Sequence, residues 1–330
     1  MKKILITGIT GFVGSHLTEY ILNLNQGHEI YGITRWRSPK ENLCNVIDRI
    51  TLLEGNLLDL SSLIRIIDKV KPDIISHLAA QSYVQSSFTS PIETFDVNVM
   101  GTVNLLEAIR LTKQNPIVHV CSSSEVYGQV TKEEVPISET CQLRPASPYA
   151  ASKVAEDMVA LQYFLSYGIK TIRTRAFTHT GARRGDTFAM SSFAKQIVAI
   201  ELGLNDVVKV GNLDSVRTFC DVRDMARAYW LLVNLCRPGE VYNIGGDRTM
   251  TIRKALEIMV SLANRQIKVE IDQKRFRASD VTLQIPCCDK FKSETFWEPI
   301  LLLEQTLDEL LKYWRIELGK NLWKFKKNEN

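Results

Sequence analysis

Tyr149 and Lys153 stand four residues apart. On a helix that spacing puts both side chains on one face, within reach of one ligand. An ammonium beside a phenol favours the phenolate, so Lys153 is expected to lower the Tyr149 pKa. Such a pair can take a proton from a substrate hydroxyl, or return it, while hydride leaves or arrives at the same carbon. Ser123 is the third candidate, bonding that same oxygen. It sits within Ser122-Ser123-Ser124, and the run alone does not say which serine faces inward. Glu125 lies two residues past Ser123, and on extended backbone it would project to the same side. A carboxylate there could serve as a second acid/base on a neighbouring carbon. The plainer role for Glu125 is a surface ion pair. A Tyr–Lys pair at this spacing also arises by chance in many helices, so its meaning rests on the elements around it.

The start of the chain supplies the first of these elements. Residues 3–7 form a short apolar run, read as a buried strand. Thr7-Gly8-Ile9-Thr10-Gly11-Phe12-Val13-Gly14 follows, and Ser15 to Leu24 has helical periodicity. Strand, glycine turn and helix in that order give such a motif its significance. Gly8 would permit the tight turn, Gly11 close approach of a pyrophosphate, and Gly14 close helix–strand packing. The helix N-terminus would offer N–H groups to the phosphates. Thr7, Gly8, Gly11, Phe12, Val13 and Gly14 are therefore expected at a dinucleotide. A second strand, Glu29 to Ile33, runs into Thr34-Arg35-Trp36-Arg37. An acid at that point would hold a ribose 2′-hydroxyl and favour NAD. Arg35 can instead pair with a 2′-phosphate, so NADP is expected. The alternative is that Arg35 and Arg37 are only solvated.

Strand and helix signals then alternate: Thr51 to Leu53, Leu60 to Val70, Ile74 to Leu78, a long helix from Pro91 to Leu111, and Ile117 to Cys121. After Lys153 a helix runs to about Tyr167, and a strand follows at Lys170 to Arg175. Residues 176–185 are rich in Gly and Arg and read as a loop. Helices are expected at Ser192 to Leu202 and Asp221 to Asn234, with a strand at Val241 to Ile244. Residues 245–330 read as helix and loop, ending in an amphipathic helix from Leu303 to Trp314. The predicted fold class is α/β, a doubly wound parallel sheet (Rossmann) with a smaller, mostly helical C-terminal substrate domain. Residues 1–175 plus about 216–244 would form the nucleotide domain, and 176–215 plus 245–330 the substrate domain. Ligands of such sheets bind at the carboxyl ends of the strands. Gly8, Asn56, Leu78-Ala79-Ala80 and Ser122 lie there.

A chain of 330 residues, 45% hydrophobic and 24% charged, has the composition of an ordinary globular protein. Its formal charge of +4 argues for no nucleic-acid partner. Lys324, Lys326 and Lys327, near the end of the chain, read as a solvated terminus. Seven cysteines without a CxxC pair suggest reduced thiols and a cytoplasmic setting. No Cys/His cluster has zinc-like spacing, so no metal is expected. No apolar run is long enough to span a membrane.

The glycine motif and the Tyr149–Lys153 pair resemble those of the extended short-chain dehydrogenase/reductase family. Within it the chain is most similar to the GDP-mannose 4,6-dehydratases, through nearly its whole length. Ala79-Ala80-Gln81-Ser82-Tyr83-Val84, Ser87-Phe88, Ser90-Pro91, and Gly101-Thr102 before Leu105 to Arg110 carry this resemblance. His179-Thr180 followed by Arg183-Arg184-Gly185-Asp186-Thr187-Phe188 is more specific, as are Gly211-Asn212-Leu213-Asp214 and Arg217. The resemblance implies conversion of GDP-mannose to GDP-4-keto-6-deoxymannose with tightly held NADP. Ser123, Glu125, Tyr149 and Lys153 would be catalytic. Arg35, Asn56, Leu57, Leu78, Ala79, Ala80, Ser82, Ser122, Tyr149, Lys153, His179 and Arg184 would join the glycine turn around the cofactor. The Arg-Arg-Gly loop would also reach a neighbouring subunit. Ser82, Ser123, Glu125, Thr178, Gly211, Arg217, Arg277 and Asp280 would meet the GDP-sugar. Arg217 and Arg277 suit its diphosphate, because guanidinium matches phosphate oxygens bidentately. The resemblance also implies a homodimer or homotetramer. Several positions depart from the dehydratase pattern. Ser123 stands where dehydratases usually have Thr, and Thr178 where Asn is common. Ser191-Ser192 stands near a usual Arg-Lys pair, and Asn56 where an Asp often precedes Leu57. From Phe193 onward the chain also resembles the NADPH-dependent GDP-4-keto-6-deoxymannose reductases, which makes that activity the alternative. A third alternative is a non-catalytic NADP-binding protein.

Overall fold

The computed structural model describes residues 1–276 and 281–328. Arg277 and Asp280 lie outside the described residues. The strands, in chain order, are β1 (Lys3–Thr7), β2 (Glu29–Thr34), β3 (Thr51–Glu54), β4 (Ile74–His77), β5 (Ile117–Ser123), β6 (Lys170–Ala176), β7 (His179–Thr180), β8 (Val208–Val210), β9 (Val216–Asp221), β10 (Val241–Ile244), β11 (Arg248–Thr251), β12 (Val269–Ile271) and β13 (Leu283–Gln284). The α-helices are α1 (Phe12–Asn23), α2 (Leu60–Val70), α3 (Val84–Thr89), α4 (Pro91–Phe95), α5 (Gly101–Leu111), α6 (Pro148–Tyr167), α7 (Ala189–Glu201), α8 (Val222–Leu235), α9 (Ile252–Ser261), α10 (Asp289–Thr295) and α11 (Leu303–Asn328).

Seven strands form one parallel sheet in the order β10-β6-β5-β4-β1-β2-β3. The doubly wound arrangement expected from the sequence is present. Alternation along each strand feeds two cores. Ile4 and Ile6 enter one core with α1 and α8, and Leu5 between them enters the other with α2 and α5. The chain winds outward from β1 to β3 and then returns to β4 on the far side of β1. The crevice between the ends of β1 and β4 is thus the topological switch point, where doubly wound sheets take ligands.

Three local readings need correction. The helix expected from Pro91 to Leu111 is interrupted by a π-turn at Asp96–Met100. The turn brings the Asn98 side chain inward. It accepts from Gln81 N at 2.8 Å and donates to Gln81 O and to Ser152 Oγ, tying the end of β4 to α6. Residues 245–330 are not only helix and loop, since β11, β12 and β13 lie there. β9, with β7, β11 and β13, builds a four-stranded sheet, and β8 pairs with β12. β7 and β13 have two residues each and β8 and β12 three, too few for an alternating signal in sequence. Within residues 216–244, β9 lies in that small sheet and β10 in the large one. The terminal helix runs past Trp314. Leu303, Leu307, Leu310 and Leu311 are buried against α7 and α9.

A buried ionic cluster fixes α6 on the sheet. Asp157 accepts from Arg173 at 2.7 Å and from Arg175 at 2.8 Å. Arg175 also donates to Tyr127 Oη and Glu139 O. Removing one member of such a cluster strands a buried charge, at a cost of about 3–5 kcal/mol. The cluster therefore holds the Tyr149–Lys153 helix in register with the Ser123 strand end.

Candidate active site

The glycine turn is built as the spacing predicts. Gly8 has φ +71°, and a Cβ there would lie 2.8 Å from Ala79 N. A Cβ on Gly14 would meet Gly8 O at 2.3 Å. These contacts press β1, the first turn of α1 and the β4 end together, as Gly8 and Gly14 require. Helix α1 starts at Gly11 with no side-chain cap and no acid in its first turn. Its N–H groups and the positive end of its dipole suit a pyrophosphate. Thr7 Oγ accepts from Leu78 N and Ala79 N at 3.2 Å and donates to His77 Nδ1 at 2.8 Å. Val13 and Leu78 pack on the core beneath. Arg35 and Asn56 line one cleft with Arg37, Ser38 and Arg65. Arg37 stacks over the Trp36 ring. Asn56 Oδ1 accepts from Leu58 N, and Asn104 donates to Leu57 O. Glycine cradle, bare helix end and arginine-lined cleft together fit a phosphorylated dinucleotide.

The β5 end and the start of α6 bring the chemical groups together. Ser147 caps α6 by accepting from Ala150 N, with Pro148 in the first turn. This fixes Tyr149 at the helix mouth, one turn before Lys153. Tyr149 and Ser123 are both buried, with the serine hydroxyl beside the phenol. Ser122 turns the other way, donating to Lys153 O at 3.1 Å. Its hydroxyl thus anchors α6, and Ser123 is the serine facing Tyr149.

The expectation for Tyr149 needs correction. Burial raises its pKa above the ordinary value, and Lys153 and Ser123 only partly oppose that rise. Burial of the phenol outweighs the downward pull of Lys153. Its ammonium donates to Cys121 O at 2.8 Å and to the Glu156 carboxylate at 2.6 Å. Burial alone would lower the Lys153 pKa, but Glu156 more than offsets this and raises it.

Glu125 reaches the site by another route than expected. The backbone leaves β5 at Ser123 and turns through a short 3₁₀ segment, Ser124–Tyr127. Ser123 Oγ accepts from Glu125 N at 3.2 Å, capping that turn. The half-buried Glu125 carboxylate makes no ion pair among the described residues. It lines a cavity of about 910 Å³ shared with Tyr149, Ser82, Thr178, His179, Arg184, Gly211 and Arg217. His179 donates from Nδ1 to Phe177 O and stacks on Phe12 at 5.9 Å. Burial lowers its pKa to about 4, so the ring is neutral. Arg184 lies over both Phe12 and Phe188, 3.6 Å from the Phe188 centroid. Burial lowers its pKa to about 10, which leaves it cationic. Arg183, by contrast, pairs with Glu19 of its own chain at 2.6 Å. Arg217 is buried, with its guanidinium donating to Val216 O and Val281 O. Among the described residues no His/Cys/Asp/Glu group could hold a metal.

The family model described as GDP-mannose 4,6 dehydratase matches residues 5–310. The chain belongs to the GDP-mannose 4,6-dehydratase family. A GDP-mannose 4,6-dehydratase of Yersinia enterocolitica is 33% identical, covering 94% of this chain and 93% of its own. A GDP-6-deoxy-D-mannose reductase of Pseudomonas aeruginosa is 31% identical, covering 95% of this chain and 97% of its own. The solved structure of RMD from Pseudomonas aeruginosa complexed with NADPH has a TM-score of 0.82 and 29% identity. It covers 96% of this chain and 100% of its own. The resemblance read from the glycine turn and the Tyr149–Lys153 pair thus holds for the family.

Several residues that the structure places at the site are not evident from the sequence. Lys274 and Arg275 line the cavity beside Gly211, whose added Cβ would lie 2.8 Å from Arg275 O. They offer cations close in sequence to Arg277, and the basic run Lys274-Arg275 was the available signal. Arg65 joins Arg35 in the second cleft, on a helix whose sequence looked wholly structural. Glu156 gave no signal beyond its i,i+3 spacing from Lys153.

Proposed function

We propose that the protein is a sugar-nucleotide 4,6-dehydratase that converts GDP-mannose to GDP-4-keto-6-deoxymannose and retains NADP. The observation that carries this reading is the Glu125 carboxylate, without an ion pair among the described residues and facing the same cavity as Tyr149. Oxidation at one carbon needs one acid/base, and elimination at the next carbon needs a second. NADP, bound between the glycine turn and Arg35, would accept hydride from C4 and return it to C6. Tyr149 takes the 4-hydroxyl proton, and Ser123 holds that oxygen. The resulting 4-keto group acidifies C5–H. Glu125 removes the C5 proton and passes it to the departing 6-hydroxyl, which leaves as water. As hydride arrives at C6, a proton from solvent returns to C5 through Glu125, and Tyr149 releases the 4-hydroxyl proton to solvent. Arg184, with Arg217 and the Lys274-Arg275 pair, gives the cavity the cations that a diphosphate requires. Substrate labelled with deuterium at C4 tests this directly. The label must reappear at C6 of the product, and its loss from the sugar would contradict the reading.

The likeness to the Pseudomonas reductase supports a second reading, an NADPH-dependent 4-ketosugar reductase. That activity would use Ser123, Tyr149 and Lys153 and leave Glu125 idle. Consumption of one NADPH per sugar would mark it.

Arg35 supplies the proposed preference for NADP. A charge-assisted hydrogen bond is worth about 1.5–3 kcal/mol. Arg35→Ala is therefore expected to cut the preference for NADP over NAD by about ten- to one-hundred-fold. Competitive titration of the cofactor-free protein measures it, and an unchanged ratio would remove Arg35 from the site.

We also place the chain in a homodimer or homotetramer. Ile92 on α4, Met100, and Met158 and Leu165 on α6 are exposed apolar side chains. Met158 and Leu165 lie two turns apart, on one face of α6. Light scattering on the eluting protein reads the mass, and a monomer at micromolar concentration would contradict this assembly. The seven cysteines are free thiols, which supports a reducing, cytoplasmic setting. Among the described residues no helix is long and apolar enough to cross a membrane.

A further inference from the structure

Lys153 and Glu156 look in sequence like an ordinary i,i+3 helical pair. Exposed pairs of that kind contribute little. Here the two side chains are only 4% and 1% exposed. A buried ion pair carries a desolvation cost that its own attraction barely repays, so its presence is weak evidence of a stabilising role. Its position points elsewhere. An ammonium has three N–H donors, and two on Lys153 are taken by Cys121 O and the Glu156 carboxylate.

We propose that Glu156 is a positioning residue that clamps the Lys153 ammonium against the Cys121 carbonyl and offsets its charge beneath Tyr149. The proposal rests on the reading that Tyr149 is the acid/base. The surroundings of Glu156 leave it in command of this charge. Asp157, its neighbour on α6, is committed to Arg173 and Arg175 on β6. His77 on β4 lies 4.0 Å from Glu156. Burial depresses its pKa to about 3. Its Nδ1 accepts from Thr7, so Nε2 donates to Thr102 Oγ on α5, at 2.9 Å. The Thr102 hydroxyl in turn donates to Asn98 O and adjoins Glu156. His119 on β5 is likewise neutral, with a pKa lowered to about 3 by burial. Burial also keeps the Cys121 thiol protonated by raising its pKa. Across the cavity Arg184 faces Tyr149. Glu156 is thus the acidic side chain in contact with Lys153. Burial raises its own pKa to about 7, and the Lys153 ammonium at 2.6 Å opposes that rise and favours the charged carboxylate. It opposes the lysine's pull on Tyr149, and it holds the lysine itself protonated.

The test is the ionisation of Tyr149 in protein free of cofactor and substrate, carrying ¹³Cζ-tyrosine. Loss of one resonance in Tyr149→Phe assigns the signal. In the wild type it should not ionise below the ordinary tyrosine value of about 10. In Glu156→Gln it should ionise about one unit lower. Both limbs of the turnover profile should move to lower pH with it, since Lys153 also loses its partner. A Glu156→Gln protein that merely melts earlier, with Tyr149 titrating as in the wild type, would overturn the proposal. If Glu156→Gln does not fold, Glu156→Asp takes its place. The shorter side chain loosens the clamp, so Tyr149 should ionise lower than in the wild type, and an unchanged titration would overturn the proposal. Full turnover by Tyr149→Phe would instead sink the acid/base reading, which the resonance does not depend on.

Discussion

Glu125→Gln is expected to lower kcat by about 10²- to 10⁴-fold, the usual worth of a positioned acid/base. The amide keeps the size of the side chain and the Ser123-capped turn, because the cap bonds the backbone N of residue 125. Folding and cofactor binding should therefore be unchanged. What is lost is proton transfer at C5 and to the departing 6-hydroxyl. In D₂O the wild type should place solvent deuterium at C5, and the variant should place none. KM for GDP-mannose should change little, since the lost interaction belongs to the transition state. Full deuterium entry at C5 in the variant would remove Glu125 from the role proposed for it.

Tyr149→Phe is expected to lose as much, by about 10²- to 10⁴-fold in kcat, but at an earlier step. Without the phenol nothing takes the 4-hydroxyl proton, so no 4-keto group forms and C5–H is never acidified. The variant should give neither product nor deuterium exchange. It should keep the thermal stability of the wild type within about 1 kcal/mol, because the phenol adds only its contact with the Ser123 hydroxyl to the anchoring of α6. That anchoring falls to the Ser147 cap, to Asn98 with Ser152, and to Asp157 with its two arginines. Parallel melting curves and product analysis measure both halves. Product formed at near wild-type rate would move the acid/base elsewhere.

The parts of this site that sequence could reveal are those where one residue type meets one backbone demand. Gly8 and Gly14 could be read because a Cβ at either position would strike backbone. Tyr149 and Lys153 could be read because helical spacing is regular. The hidden parts depend on burial and on neighbours distant in the chain. Glu156 has the spacing of a solvated pair, and only the packing of α6 against β4, β5 and α5 makes it a buried counter-charge. For Tyr149, burial of the phenol itself reverses the expected direction. Asn98 faces inward through a π-turn that helical periodicity averages away. Glu125 reaches the cavity although the backbone there is a turn and not a strand, because Ser123 bends the chain by capping it. Arg184 takes its place from two aromatic rings far apart in the chain, Phe12 at the start of α1 and Phe188 just before α7. The small sheet around β9 escaped notice in part because β7 and β13 have only two residues each.

The account rests on elimination without net redox change. Purified protein given GDP-mannose and no added cofactor tests this most directly, read by mass spectrometry over many turnovers. We expect loss of one water from the sugar nucleotide, in large excess over the protein, with NADP released only on denaturation. An unchanged GDP-mannose mass would contradict the account if the same preparation oxidised NADPH on a 4-keto-6-deoxy sugar nucleotide.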